Sequence, residues 1–596
     1  SSNVRVHTSD FLYIDENLNN PLVLDLHQLN LEASDFLILG KNITTSITSL
    51  SFEDSRGARL QNLETNFSYS LTQMMFTQLK IKSENSLISG QLQFDYDRED
   101  FEDFSDKVNV SGFFKNSKID LEDLNMFYNE FGSNQKATLN TVFSGTLNRL
   151  ILKEFDLKTV HNTSVNGKFL FTNLFNSTPN TFEMDGDFKK IESTNNDLTA
   201  LLPRVFGSRV PSNFESLGRF DMQGSAKISK NSVKTIMNIQ TDIGMLFVDL
   251  NLDEIDDKND TSYTAQVQFT DFDLGQLLGE PKIGLVSSNL SLEGRGFNNE
   301  TIQSIVKGKF ESFTFQEYSY ADLVVSGVVK NKIFKGQLTI SDPNLNFSFD
   351  GLVDFSEKEN SYDFSATIAH ANLYALNFIK SDSLSVVNGQ VTMEMRGTSI
   401  DDAYGAIKFK NVLYQNKNDS YTFKDFEVTS VFDINNERTI RVNSPEIVEG
   451  NLKGKFAIKE VPNLLRNSFG DIYTKYKPYS VKEAQYFNFN FKIYNKIVEI
   501  FSSQLNLGSN TFIRGRVESD PKNFKLTFRS PSIKLEDFFA SKIEVQLIND
   551  NPLFNSYVEV DSLATPYYNA SKFSLINVTL NDTLYVKSEF KGGKNT

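Results

Sequence analysis

The sequence predicts a mostly β fold, an elongated repeat in which a single long curled sheet carries short interspersed helices. Three observations carry that expectation. Phe and Tyr are abundant, 53 and 21 residues with no Trp, and such side chains suit a pleated, half-buried surface. Apolar and polar residues alternate with a period of two from one end of the chain to the other. Helix-like segments interrupt the alternation at roughly 70–100 residue intervals, the signature of a repeated unit. A chain of 596 residues is also too long for one compact core.

The strand pattern is explicit. Phe94 and Tyr96 alternate with Asp95 and Asp97, and Phe169 and Phe171 repeat the spacing, as do Val267 and Phe269. Phe347 and Phe349 stand between Asn346, Ser348 and Asp350; Phe364 follows in the next run. Phe487, Phe489 and Phe491 alternate with Asn488, Asn490 and Lys492, and Phe524 and Phe528 close the series. Successive strand side chains point to opposite faces, so each run makes one apolar and one wetter face.

The helix-like segments begin at Asp120, Asp197, Asp273, Asn372, Pro462 and Lys534. Several open on Asp or Asn, good N-cap residues, and carry apolar residues three or four apart. The first four are followed by strands expected to end at Gly145, Gly224, Gly294 and Gly397. The internal match of Leu290–Val324 with Val391–Val428 fits the same unit. The implied segments are 1–119, then repeats 120–196, 197–272, 273–371, 372–461, 462–533 and 534–596. About 45 strands at ~4.8 Å spacing would make a rod on the order of 200 Å long.

Composition excludes several function classes. Without cysteine there is no disulfide, thiolate metal site or cysteine nucleophile. A net charge of −16 argues against nucleic acid and against charge-driven binding to an anionic membrane. No apolar run approaches the ~18 residues of a membrane-spanning helix. The chain opens on Ser1 without a signal sequence and reads as a processed or partial polypeptide. The four histidines, His7, His27, His161 and His370, have no partner at metal-ligand spacing. No nucleophile elbow, P-loop or dinucleotide-binding motif occurs, so neither catalysis nor a cofactor is expected. Acidic clusters at 95–106 and 253–260 lack the EF-hand spacing and read as solvated turns.

The thirteen aromatics Phe94, Tyr96, Phe169, Phe171, Phe269, Phe347, Phe349, Phe364, Phe487, Phe489, Phe491, Phe524 and Phe528 are the candidate functional residues. They have two readings. Either a second layer covers them as core, or the sheet curls so that they line its own apolar groove.

Six stretches carry a family resemblance: Asp97–Phe104, Leu124–Ala137, Asp342–Leu345, Glu449–Phe456, Phe489–Glu499 and Phe573–Leu584. In this order, and over essentially the whole chain, the sequence resembles the TamB family of the AsmA-like superfamily in its Bacteroidota (flavobacterial) form. These are the translocation and assembly module subunits. The resemblance implies an elongated repeating β-groove with a hydrophobic interior. Residues 1–119 are then a β-groove segment, and 534–596 continue into a C-terminal domain absent from this sequence. It also implies a periplasmic protein held in the inner membrane by an N-terminal anchor, likewise absent here. Its partners are phospholipid acyl chains and, through the absent C-terminal region, an Omp85-family outer-membrane barrel of the TamA or TamL kind. The implied role is phospholipid transport between the membranes, or assistance to outer-membrane protein assembly. No catalytic motif comes with the family. A surface adhesin or outer-membrane barrel is the further rival, disfavoured by the recurrent helices and the lack of Trp.

Overall fold

The computed structural model describes residues 2–15, 22–55, 59–126, 131–174, 181–203, 212–255, 260–297, 301–380, 382–417, 419–472, 476–502, 504–551, 553–580 and 583–592. Among these, 67% lie in strands and 10% in helices, so aromatic content and period-two alternation identify the class correctly. The chain divides into two compact units, residues 1–316 and 317–596.

Each unit is an open antiparallel sheet that grows in sequence order. In the first, strand Ser2–Asp15 pairs with Leu22–Leu39, and the pairing proceeds neighbour by neighbour to Ile283–Arg295 and Gln303–Phe315. In the second it runs from Tyr318–Lys330 and Ile333–Asp342 to Asn569–Leu580 and Thr583–Gly592. Where a short helix follows strand Tyr486–Ile493, that strand pairs with Thr511–Glu518, the strand Leu505–Leu507 pairing beyond it with Lys525–Leu535. Sequential pairing keeps every contact local along the sheet, as repeat proteins do.

The described residues hold 35 strands, fewer than the alternation suggested, because strands run on through bulges instead of breaking. Gln78, Asn116, Asp271 and Asn411 sit inside strands with φ of +55°, +48°, +45° and +50°. At each the register slips by one residue against a neighbouring strand. The inward residue therefore follows after three positions, not two: Phe76 then Leu79, Phe114 then Ser117, Phe269 then Phe272, Phe409 then Val412. Leu79, Ser117, Phe272 and Val412 are all buried. A bulge bends its strand and increases the local twist, so the sheet is shaped by residues whose identity advertises nothing in sequence.

The six helix-like segments fare differently. Leu121–Met126 forms a 3-10 helix; the 127–130 part of that segment lies outside the described residues. Asn195–Leu201 is helical, but its cap is Thr194, whose Oγ1 accepts from the Asp197 amide at 3.1 Å. Asp273 caps Leu274–Leu278 as expected, and Val461–Gly470 is the longest helix among the described residues, with Pro462 in its first turn. Asn372–Leu376 is instead one turn, closed by the Leu376 amide on the Asn372 carbonyl at 3.0 Å. Lys534–Phe539 is no helix at all: Leu535 pairs with Phe538 across a tight hairpin whose Glu536 has φ +52°. Its apolar spacing came from the two strand ends that meet there. Gly145, Gly294 and Gly397 do lie at strand ends, whereas Gly224 sits mid-strand in Arg219–Ser229.

Candidate functional site

Strand pairing decides which residues share a face, because directly paired residues point to the same side. In the first unit one row passes from strand to strand through Met74, Phe94, Val110, Gly145, Leu150, Phe171, Met184, Ile228, Val233, Leu252 and Tyr263. The adjacent row holds Leu92, Gly112, Phe143, Leu152, Phe169 and Gly186. Phe269 belongs to a third row on that side, paired with Leu246 and Ser288.

The second unit has a still longer row: Gly351, Phe364, Met393, Ile407, Val428, Val442, Gly450, Phe491, Ile513, Phe528, Val545, Val558 and Leu575. Phe347 pairs with Ile340 and Ile368, Phe349 with Leu338 and Ala366, Phe489 with Leu452 and Gly515, Phe487 with Gly454 and Val517. Within each unit the candidate aromatics thus share one apolar face. The residues between them, such as Asn346, Ser348 and Asp350, are exposed on the other.

Glycines in these rows make room for rings from the next strand. A Cβ at Gly186 would meet ring atoms of Phe169 at 2.9 and 3.0 Å and of Phe188 at 3.0 Å. One at Gly515 would meet the Phe489 ring at 2.7 Å. The rings therefore lie down across the sheet and touch: Phe169 is 5.1 Å from Phe188, and Phe349 is 5.0 Å from Phe364.

Cover over this face is uneven. Phe347, Phe349 and Phe364 are half-buried by cross-strand neighbours. Phe94 and Tyr96 are overlaid by Phe101 and Phe104 from the short helical turns Arg98–Asp103 and Phe104–Lys107. The Tyr96 hydroxyl donates to the Ser70 carbonyl at 3.0 Å, and burial, then Tyr69, pushes its phenol above the ordinary range. Phe487, Phe489 and Phe524 are covered outright by helix Val461–Gly470, in a core with Phe456, Leu464, Val517 and Leu526. Phe487 and Leu464 keep 1% of their surface exposed and Phe524 none. These three are core residues, Tyr96 and Phe169 are buried as deeply as Phe489, and Phe491 and Phe528 are only partly buried against the same cluster.

Buried charged groups break the apolar pattern, Asp342 at the end of strand Ile333–Asp342 and Arg438, and the second gave no signal in sequence. Arg438 is buried on this face, paired with Phe432 and Gly454. Its guanidinium donates to Ser430 Oγ at 2.9 Å and to the carbonyls of Ile400, Asp401 and Ala403 at 2.9, 3.1 and 2.6 Å. Burial pulls its pKa down while Asp401 and Asp402 act the other way. With three N–H groups on loop carbonyls and a fourth on Ser430 of the neighbouring strand, Arg438 ties that loop to the sheet and has little left for a ligand.

Some members of the acidic clusters are held by neighbouring side chains. Asp95 accepts from Gln73 and Gln93, and Asp253 from Asn251, while Asp256 and Asp257 lie outside the described residues. Among the described residues no group of three His, Asp or Glu side chains is placed to hold a metal ion, and no helix is long and apolar enough to cross a membrane. No protein-family model matches the chain, and no curated protein is significantly similar to it.

Proposed function

We propose that this chain is a lipid conduit: a TamB-like, bridge-like transfer protein that carries phospholipid between inner and outer membranes across the periplasm. The observation that supports this reading is the unbroken apolar row in each unit, eleven and thirteen strand positions long, facing a side that short helices cover only in places. Acyl chains need apolar area and no directional bonds, and shielding them from water is worth about 0.8 kcal/mol per methylene. A row without charged interruptions lets them slide without a fixed stopping point.

Charge placed on the open stretch tests it. Phe349→Asp with Phe364→Arg wets the face where two rings touch, without entering the covered core. Transfer of labelled phospholipid between vesicles should fall sharply while the thermal melt stays close to that of the unaltered chain. Undiminished transfer in a folded variant contradicts the reading. The alternative, a scaffold for outer-membrane protein assembly, would use a strand edge. Among the described residues Thr583–Gly592 pairs only with Asn569–Leu580, which leaves its other backbone edge for β-augmentation. That role predicts crosslinks from this strand to client barrels and indifference to Phe349→Asp.

A further inference from the structure

Strand length sets the width of the apolar face. In the second unit the strands from Tyr318–Lys330 to Ser420–Phe432 have 10 to 13 residues. Val448–Lys455, Tyr486–Ile493 and Thr511–Glu518 have 8. At ~3.3 Å per residue the face narrows from about 33–43 Å to about 26 Å. Both ends of this narrow stretch carry a helix, Val461–Gly470 before strand Tyr486–Ile493 and Asn495–Phe501 after it.

The first helix closes its half of the face completely, over Phe487 and Val517. The second leaves a cavity of about 460 Å³ between its Ile497 and Val498 and the sheet residues Val448, Phe491, Ile493 and Ile513. Its size falls in the range of small-ligand pockets, about 300–1,000 Å³. The roof is pinned from outside: the Tyr421 hydroxyl donates to the Glu499 carbonyl at 2.9 Å, and Lys496 Nζ to the Thr422 carbonyl at 2.9 Å.

We infer that this cavity seats a single phospholipid acyl chain on the short-strand stretch of the second unit's apolar face. The inference rests on the lipid reading above and goes beyond it by naming one holding site. No polar atom is exposed in the lining, which selects the occupant. A peptide strand or helix end would leave backbone N–H and C=O groups unpaired there, and a headgroup would find no charge. A hydrocarbon tail asks for neither. The cavity is also continuous with the row through Gly450, Phe491 and Ile513.

The test places a photo-reactive benzoylphenylalanine at Phe491, at its outward-facing neighbour Asn490, and at Phe364 on the wide stretch of the same row. The full chain is irradiated with vesicles of equimolar phosphatidylethanolamine and phosphatidylglycerol, and adducts are read by mass spectrometry. Phospholipid adducts are expected at 491 and 364 and not at 490. In a second variant, Val498→Trp fills the cavity, and most of the adduct at 491 should be lost while that at 364 persists. Adducts at 364 without any at 491, or equal labelling at 490 and 491, overturn the holding site alone. Absence of adducts at both 364 and 491 overturns the lipid reading with it.

Discussion

Asp402 shows how one carboxylate can hold a loop that a buried cation then uses. It accepts from the amide and hydroxyl of Thr398 and from the Ser399 amide at 2.6 Å. These bonds, the Thr398 hydroxyl first, hold its pKa well below the carboxylate range. They fix the turn whose carbonyls receive Arg438. Because the folded-state pKa is depressed, the contribution is complete above the unfolded value near 4 and is lost as pH falls below it. The difference in melting temperature between the unaltered chain and Asp402→Asn should be largest at neutral pH and shrink below about pH 4. A difference independent of pH contradicts this account. At Gly186 the constraint is space. Gly186→Val drives a side chain into the Phe169 and Phe188 rings and should destabilise by about 1–3 kcal/mol in urea unfolding. Gly40→Val provides the contrast, since nothing lies within 4 Å of a Cβ there and only its φ of +62° resists substitution.

At the level of elements, helix Val461–Gly470 decides which aromatics are core. Leu464, its most buried large side chain, packs into the cluster with Phe487 and Phe524. Leu464→Ala should cost about 2–5 kcal/mol and expose that half of the face, seen as a loss of urea stability with increased binding of a hydrophobic dye. The periodicity in sequence was sufficient to put Phe347, Phe349 and Phe364 on one side of their strands, because no bulge lies between those positions and their partners' rows. It could not show that Phe489 is covered and Phe491, two residues on, is only partly so. That difference comes from a helix that begins 28 residues before Phe489. Nor could it show the bulges, since Gln78, Asn116, Asp271 and Asn411 occupy left-handed positions without the glycine that would mark them. The hairpin at Glu536 was misread for a similar reason: its turn lacks Asn-Gly or Asp-Gly, the usual hairpin signal.

At the scale of the whole molecule, the sheet class was legible from composition and alternation, while the purpose of its apolar face was not. Composition cannot distinguish an aromatic that packs under a helix from one that waits for a ligand, since both need the same strand pattern. The structure separates covered aromatics from half-buried ones, and the proposed lipid reading rests on the half-buried set. Absence of cysteine makes the chain convenient for site-specific labels. The most direct test of the central claim is the phospholipid retained by the purified chain, extracted and counted per molecule. The account predicts bound phospholipid in the unaltered chain and a clear reduction in the folded Phe349→Asp, Phe364→Arg variant. A chain that retains none, or a variant that retains as much, would contradict it.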